Sequence, residues 1–328
     1  MRRLLRTAPL AAAAALLLAA CGTTEPAADD APKASAEPIT LTDASGAKVE
    51  LDGPATKVVG TEWNVVEHLL SLGVEPVGVA DVKGYKTWDS AVPLTNDAKD
   101  IGTRGEPSMD TVAALDPDLI VATTDLQPNA VKQLREIAQV LEVKSADASD
   151  PVGQMLENLD LIAKATGTTE RAATLKKDFD AKLAEGAKAL EDAGLKGAGI
   201  AFADGYVVSN QVSLRPYTSG SLVGGINERL GLKNAWKLKG DEAYGLAATD
   251  VEGLTALGEV QFAYIGNAQD AASDPFGNEL KNNSVWKSLP FVKSGDVHRL
   301  DDGIWMFGGP TSMEQVIDAA VTAVADQK

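Results

Sequence analysis

The chain has 328 residues, 45% of them hydrophobic and only 5% aromatic, with 47 acids against 30 bases for a formal charge of −17 at pH 7. That acidity excludes a polyanionic partner, whether nucleic acid or the surface of an anionic membrane. A single cysteine excludes an internal disulfide framework, and two histidines leave little for imidazole catalysis or a histidine-rich metal site.

Residues 1–20 read as a secretory signal. Arg2, Arg3 and Arg6 open it, an apolar run follows through Leu18, and small Ala19 and Ala20 close it. The run is too short to span a bilayer as a helix. Leu18-Ala19-Ala20-Cys21 resembles the bacterial lipoprotein box, which implies cleavage before Cys21 and a diacylglycerol on its sulfur; two acyl chains are what stable anchoring requires. Loss of the three arginines takes the chain from −17 to −20. Residues 21–40 are then the lipidated cysteine and a tether, where Ala, Pro, acids, Ser and Thr offer nothing to bury. The expected location is extracytoplasmic, at the outer face of the cytoplasmic membrane.

From residue 41 short apolar runs alternate with amphipathic segments, the pattern of an α/β protein, and the remaining length exceeds what one core usually holds. "KVVG" (57–60) predicts a strand and "EWNVVEHLLSLG" (62–73) a helix stopped by Gly73. "PVGVA" (76–80) is a strand, "DVKGYKTWDSAV" (81–92) a loop, "DIG" (100–102) a short strand, "SMDTVAAL" (108–115) a helix and "DLIVAT" (118–123) a strand; a helix at 127–138 and a strand at 140–143 follow. Residues 151–193 carry almost no strand signal. They read as one helix over 151–167 and a longer one from 169, stopped by Gly194 and spanning about 35 Å. Alternation then resumes with strands at 198–204, 261–266 and 296–300, helices at 219–231 and 251–258, and a terminal helix at 311–324. The division is therefore 1–20 signal, 21–40 tether, 41–165 first lobe, 166–194 bridging helix and 195–328 second lobe with the terminal helix. One internal echo supports twin lobes: "SMDTVAALDPDLIVAT" (108–123) and "DVEGLTALGEVQFAYI" (250–265) share a plan at an offset of 142, with Asp110 and Glu252 in the same slot.

Enzyme signatures are missing. The chain has no phosphate-cradling G-x-x-x-x-G-K-[ST], no G-x-G-x-x-G after a strand and no G-x-S-x-G elbow. His68 in a helix and His298 in a strand read as structural or surface residues, and no bare-metal site is expected. The aromatic residues instead sit among Gly, Pro and polar residues: Tyr85 and Trp88 in "KGYKTWDS", Tyr217 beside Arg215 in "SLRPYTSG", Tyr244 in "EAYGLA", Trp305 and Phe307 in "GIWMFGGP"; Arg104 lies in "GTRGEPS". Aromatic faces with an arginine fork suit a compact ligand carrying apolar linkers and anionic oxygens.

"GTRGEPSMDTVAALDPDLIVAT" resembles the signature of the siderophore-binding proteins of ATP-driven importers, and "EWNVVEHLLSLGVEPVGVADVKGY" and "VWKSLPFVKSGDVHRLDDGIWMFGGPTS" are similar to that family's beginning and end. The resemblance implies two Rossmann-like lobes joined by one long helix, the class III periplasmic-binding-protein arrangement. It implies a monomeric receptor, not an enzyme, with no permanent cofactor, that takes an Fe(III)–siderophore complex whose oxygens hold the iron and delivers it to an ABC permease with its cytoplasmic ATPase. By the same resemblance Arg104 meets the ligand's iron-coordinating oxygens and Trp305 lines the pocket from the second lobe. Tyr244 falls where ferric-hydroxamate members have a tryptophan. Asp110 and Glu252 match the acids that dock on the permease, with Asp shorter than the usual Glu at the first. Arg215, Tyr217, Trp63, Tyr85 and Trp88 are added as ligand contacts by position. Hydroxamate siderophores rank first and citrate-type second, with haem and cobalamin within the same class; a surface enzyme or an adhesin is the rival outside it.

Overall fold

The computed structural model describes residues 37–209 and 211–325, so Cys21, the signal and most of the tether lie outside the described residues. A short antiparallel hairpin comes first, β1 (Ile39–Thr42) with β2 (Lys48–Leu51). Sequence patterning had placed no strand here, and the alternating burial of β2 is what one covered face produces.

The first lobe is built from β3 (Val58–Gly60), α1 (Trp63–Ser71), β4 (Gly78–Val79), α2 (Val82–Trp88), β5 (Lys99–Asp100), the small hairpin β6 (Gly102–Thr103) and β7 (Glu106–Pro107), α3 (Met109–Ala114), β8 (Leu119–Thr123), α4 (Pro128–Arg135) and β9 (Gln139–Val143). Its sheet runs β5-β4-β3-β8-β9, with every pairing parallel. β3 and β8 are buried at every position, as unbroken apolar strands covered on both faces must be. Helix α2 replaces the expected loop. Asp81 caps it by accepting the Gly84 N–H, and a Cβ on Gly84 would stand 2.2 Å from the Trp63 ring. The glycine that disguised the helix makes room for an indole.

Two helices follow, α5 (Pro151–Thr166) and α6 (Thr169–Asp192). Pro151 at the first turn, Asp150 accepting the Gly153 N–H and Gly167 in the left-handed conformation define the ends of α5. Both helices divide their apolar faces. Ala172 and Leu175 of α6 enter the first lobe's core, while Phe179 and Leu190 enter the second's. The expected bridge was α6 alone, yet α5 also crosses, giving Leu159 and Ile162 to the first core and Val152 and Met155 to the second.

The second lobe holds β10 (Gly199–Val208), β11 (Gln211–Pro216), α7 (Leu222–Arg229), β12 (Lys233–Asn234), β13 (Gln261–Tyr264), α8 (Ser284–Ser288), α9 (Pro290–Ser294), β14 (Val297–Arg299) and α10 (Pro310–Ala325). The parallel succession β12-β10-β13-β14 repeats β4-β3-β8-β9 of the first lobe, and β11 folds back antiparallel on β10. The echo at offset 142 thus maps β8 onto β13. The helix before it does not carry over: "VEGLTALG" forms a 3₁₀ turn at Glu252–Ala256, with the Asp250 carboxylate accepting the Gly253 N–H. Glycine inside a short segment weakens an α-helix, and the tighter turn results.

The lobes also meet directly. Glu67 of α1 accepts the Ser312 N–H at 2.9 Å and the Ser312 hydroxyl at 2.8 Å, so a buried carboxylate of the first lobe caps α10 of the second. Ser90 donates through both N–H and hydroxyl to the Gly303 carbonyl at the same seam.

Candidate functional site

Strand ends and helix starts of both lobes converge on one cleft of about 280 Å³. From the first lobe comes Arg104, carried on the two-residue turn between β6 and β7. Its Nη1 donates to Glu62 Oε1 at 2.8 Å, and its guanidinium lies 3.9 Å from the Trp63 ring centroid and 5.7 Å from that of Trp305. Glu62 is the N-cap of α1, so the same Oε1 also accepts the Trp63 N–H at 2.9 Å. Trp63 is buried, donates its indole N–H to the Ala80 carbonyl, and meets Trp305 edge-on at 4.9 Å. It forms the floor under Arg104.

From the second lobe come Trp305 and Phe307, on the segment between β14 and α10, together with Arg215 and Tyr244. Arg215 faces Asp204 across the β10–β11 ladder and grips it twice, Nε to Oδ1 at 2.9 Å and Nη2 to Oδ2, while its guanidinium lies 5.4 Å from the Phe307 ring centroid. Tyr244 sits in a turn whose Asp241 carboxylate accepts the N–H groups of Ala243, Tyr244 and Leu246. Its hydroxyl crosses to the first lobe and donates to Asp125 Oδ2 at 2.8 Å. A second, small cavity of about 30 Å³ with a mixed lining, room for a water or two, adjoins the cleft at Asn64, Tyr244 and Phe307.

The electrostatics keep Tyr244, Tyr217 and Arg215 protonated. Burial and then the Asp125 charge push the Tyr244 phenol above its ordinary value; burial and then Asp204 do the same to Tyr217. Burial alone would lower Arg215, but its contacts with Tyr217 and Asp204 hold it above the usual arginine range. Burial would raise Asp125, yet hydrogen bonds from Thr123 and Tyr244 keep it below the usual carboxylate range. The indole N–H of Trp305 is buried without a hydrogen-bond partner, a free donor beside the cleft.

Arg104, Trp305, Tyr244 and Arg215 therefore stand together, with Trp63 one layer below. Three other positions read differently. Tyr217 is fully buried and reaches back to Asp204 at 3.0 Å, so it fixes the carboxylate that holds Arg215 and presents no face to the cleft. Tyr85 is also fully buried, donating to the Val92 carbonyl at 2.7 Å within the core of Val66, Val79 and Leu94. Trp88, half-buried at the end of α2, packs on that same core. Glycines around an aromatic gave no way to tell a ligand contact from a plug. Asp110 and Glu252 are exposed, each in the first turn of its helix. His68 is buried in α1 with its pKa lowered to about 4 by desolvation, and His298 in β14 meets Gln261 Oε1 at 2.7 Å. Among the described residues no group of three His, Cys, Asp or Glu side chains is placed to hold a metal ion, and no helix is long and apolar enough to cross a membrane. Sequence reasoning did not single out Glu62, Asp204 or Asp125. Among 47 acids, only strand register and helix capping distinguish them.

The model of one family, described as periplasmic binding protein, matches residues 58–303. The chain belongs to that family. Among curated relatives it is 29% identical over 313 residues to the Fe(3+)-citrate-binding protein YfmC of Bacillus subtilis, covering 92% of this chain and 90% of the relative. It is 24% identical over 268 residues to the iron(3+)-hydroxamate-binding protein FhuD of Escherichia coli, covering 81% and 86%. Among solved structures it is similar to the siderophore-binding protein FhuD of Vibrio cholerae bound to Fe3+–Desferal, with a TM-score of 0.72 and 24% identity over 82% of this chain and 98% of that one. It is likewise similar to the triscatecholate siderophore binding protein FeuA of Bacillus subtilis, with a TM-score of 0.70 and 20% identity over 88% and 98%. At such identities the structural likeness speaks for the fold, two α/β lobes of the class III type.

Proposed function

We propose that this chain is a lipid-anchored extracytoplasmic substrate-binding protein that captures a ferric siderophore and delivers it to an ABC permease for iron uptake. The observation that carries this reading is the convergence, from both lobes, of two guanidiniums and the Trp305 and Phe307 rings on one open cleft. Guanidinium forks bond the oxygens of a chelate, and ring faces cover its carbon linkers. The siderophore brings the hard oxygen donors that iron(III) prefers, so the protein needs none of its own. Relatives named for ferric citrate and for ferric hydroxamates support the ligand class; within it this reading places hydroxamate first and citrate second.

In this reading Arg104 and Arg215 hold the oxygen face, Trp305 and Tyr244 border it, and Cys21 carries the lipid. Asp110 and Glu252, exposed ahead of the equivalent strands β8 and β13, are the permease contacts. The test is a titration of tryptophan fluorescence with a panel of ferric siderophores, with iron-free and gallium-loaded forms as controls. Saturable quenching by at least one ferric or gallium complex supports the receptor; its absence across the panel overturns it.

A further inference from the structure

Each arginine of the cleft comes with its own carboxylate, and each carboxylate is held in place. Glu62 Oε1 accepts from Arg104 at 2.8 Å and from the backbone N–H of Trp63 at 2.9 Å, so swinging it aside would also uncap α1. Asp204 accepts from Arg215 through both of its oxygens and from the Tyr217 hydroxyl at 3.0 Å. Its side chain is 11% exposed and that of Glu62 21%. A third carboxylate, Asp125, receives the Tyr244 hydroxyl from across the cleft. Two guanidiniums thus face three carboxylates among the groups that line the cleft or bond to its lining. The guanidiniums keep free N–H edges for a ligand's oxygens, but their charge is already balanced within hydrogen-bonding distance.

We propose that Glu62 and Asp204 are specificity-determining residues that tune this cleft to ferric complexes of zero or positive net charge. This deepens the ferric-siderophore reading and rests on it. Three hydroxamates neutralise iron(III), and a pendant ammonium makes the complex cationic. Three catecholates leave it trianionic, and ferric citrate complexes are also anions. An anion seated on Arg104 and Arg215 lies against the Glu62 and Asp204 carboxylates as well, so each carboxylate offsets the attraction its arginine would otherwise give, at a cost on the order of tenfold in affinity per pair. Rejection by fixed like charge is a means of choosing among chelates whose shapes are similar. The curated relatives carry names of both charge classes, so kinship alone does not choose between them, whereas the paired carboxylates do.

The experiment measures affinities of the purified chain, by tryptophan quenching at low ionic strength, for three probes: ferric desferrioxamine B (cationic), ferric dicitrate (anionic) and a ferric tris-catecholate (trianionic). The expected result is preference for the cation by about a hundredfold over the trianion, narrowing as salt is added. Glu62→Gln and Asp204→Asn remove the charge at nearly constant shape. The first keeps the single acceptor oxygen that Arg104 and the Trp63 N–H share, the second replaces one of the two oxygens that Asp204 uses by a donor, and each is expected to shift the cation-to-trianion ratio about tenfold toward the trianion. Should Asp204→Asn lower the melting temperature, Glu62→Gln alone decides. Equal or tighter binding of the anions by the unaltered chain, or ratios that neither variant moves, overturns the inference while leaving the receptor reading intact. If no ferric complex of any charge saturates the protein, the receptor reading itself fails and this inference falls with it.

Discussion

Arg104 illustrates how one side chain can be both held and available. Trp63 lies beneath it and Glu62 takes one of its donors, while the other N–H groups remain free toward the cleft. Arg104→Ala is expected to weaken binding of the preferred ferric siderophore 10- to 100-fold, the worth of one or two charge-assisted hydrogen bonds, as read by fluorescence titration. Arg104→Lys recovers only part of this, because an ammonium cannot both stack and fork. Asp89 poses a different problem. It is 1% exposed, and burial followed by the charge of Glu67 pushes its carboxyl up to about 10 from an ordinary 3.8. The native state therefore keeps a proton that the unfolded chain releases, so stability is lost as pH rises through that window. His68, lowered to about 4, acts in the opposite direction but only below its ordinary 6.5, where stability is lost as pH falls. Between pH 7 and 9 the carboxyl acts without it. The unfolding free energy from urea titrations is expected to drop there by up to about 1.4 kcal/mol per pH unit, and Asp89→Asn to flatten the slope.

Elements explain which parts of the molecule could be read in advance. Strands β3, β8 and β13 and helices α1, α5 and α6 were legible because burial imposes period and length on their sequences. The motif G-x-R-x-E-P marked Arg104, and the glycine-rich segment before α10 marked Trp305. Helix α2 and the 3₁₀ turn at Glu252–Ala256 were misread for a shared reason: a glycine within a short segment means different things depending on what packs against it. Arg215 and Tyr217 could be assigned only by position, because the Asp204–Arg215 pairing exists only in the register of β10 and β11. The turn carrying Tyr244 shows how tightly a cleft element is bound to its neighbours. A Cβ on Gly245, at φ 63°, would stand 2.1 Å from the Gly220 carbonyl carbon and 2.3 Å from Ser221 N. Gly245→Ala is expected to cost about 3 kcal/mol in chemical denaturation, since the flanking helix start is backbone and cannot turn away.

For the whole molecule, the two lobes repeat one strand succession, so Asp110 and Glu252 stand at corresponding places on twin units. Reversing both charges, Asp110→Lys with Glu252→Lys, is expected to abolish siderophore-dependent iron uptake in cells while leaving the affinity of the purified protein within about twofold, since neither residue lines the cleft. Unchanged uptake would remove both from the permease contact.

Helices α5 and α6 each end in a different core from the one in which they begin. Melting either lobe would strip apolar surface from both helices and so expose the interior of its twin. Calorimetry is accordingly expected to record one endotherm for the receptor, with van't Hoff and calorimetric enthalpies in agreement, where a chain of two independent domains would give two. A chain of this build is committed as a single cooperative unit: it survives whole or it is lost whole.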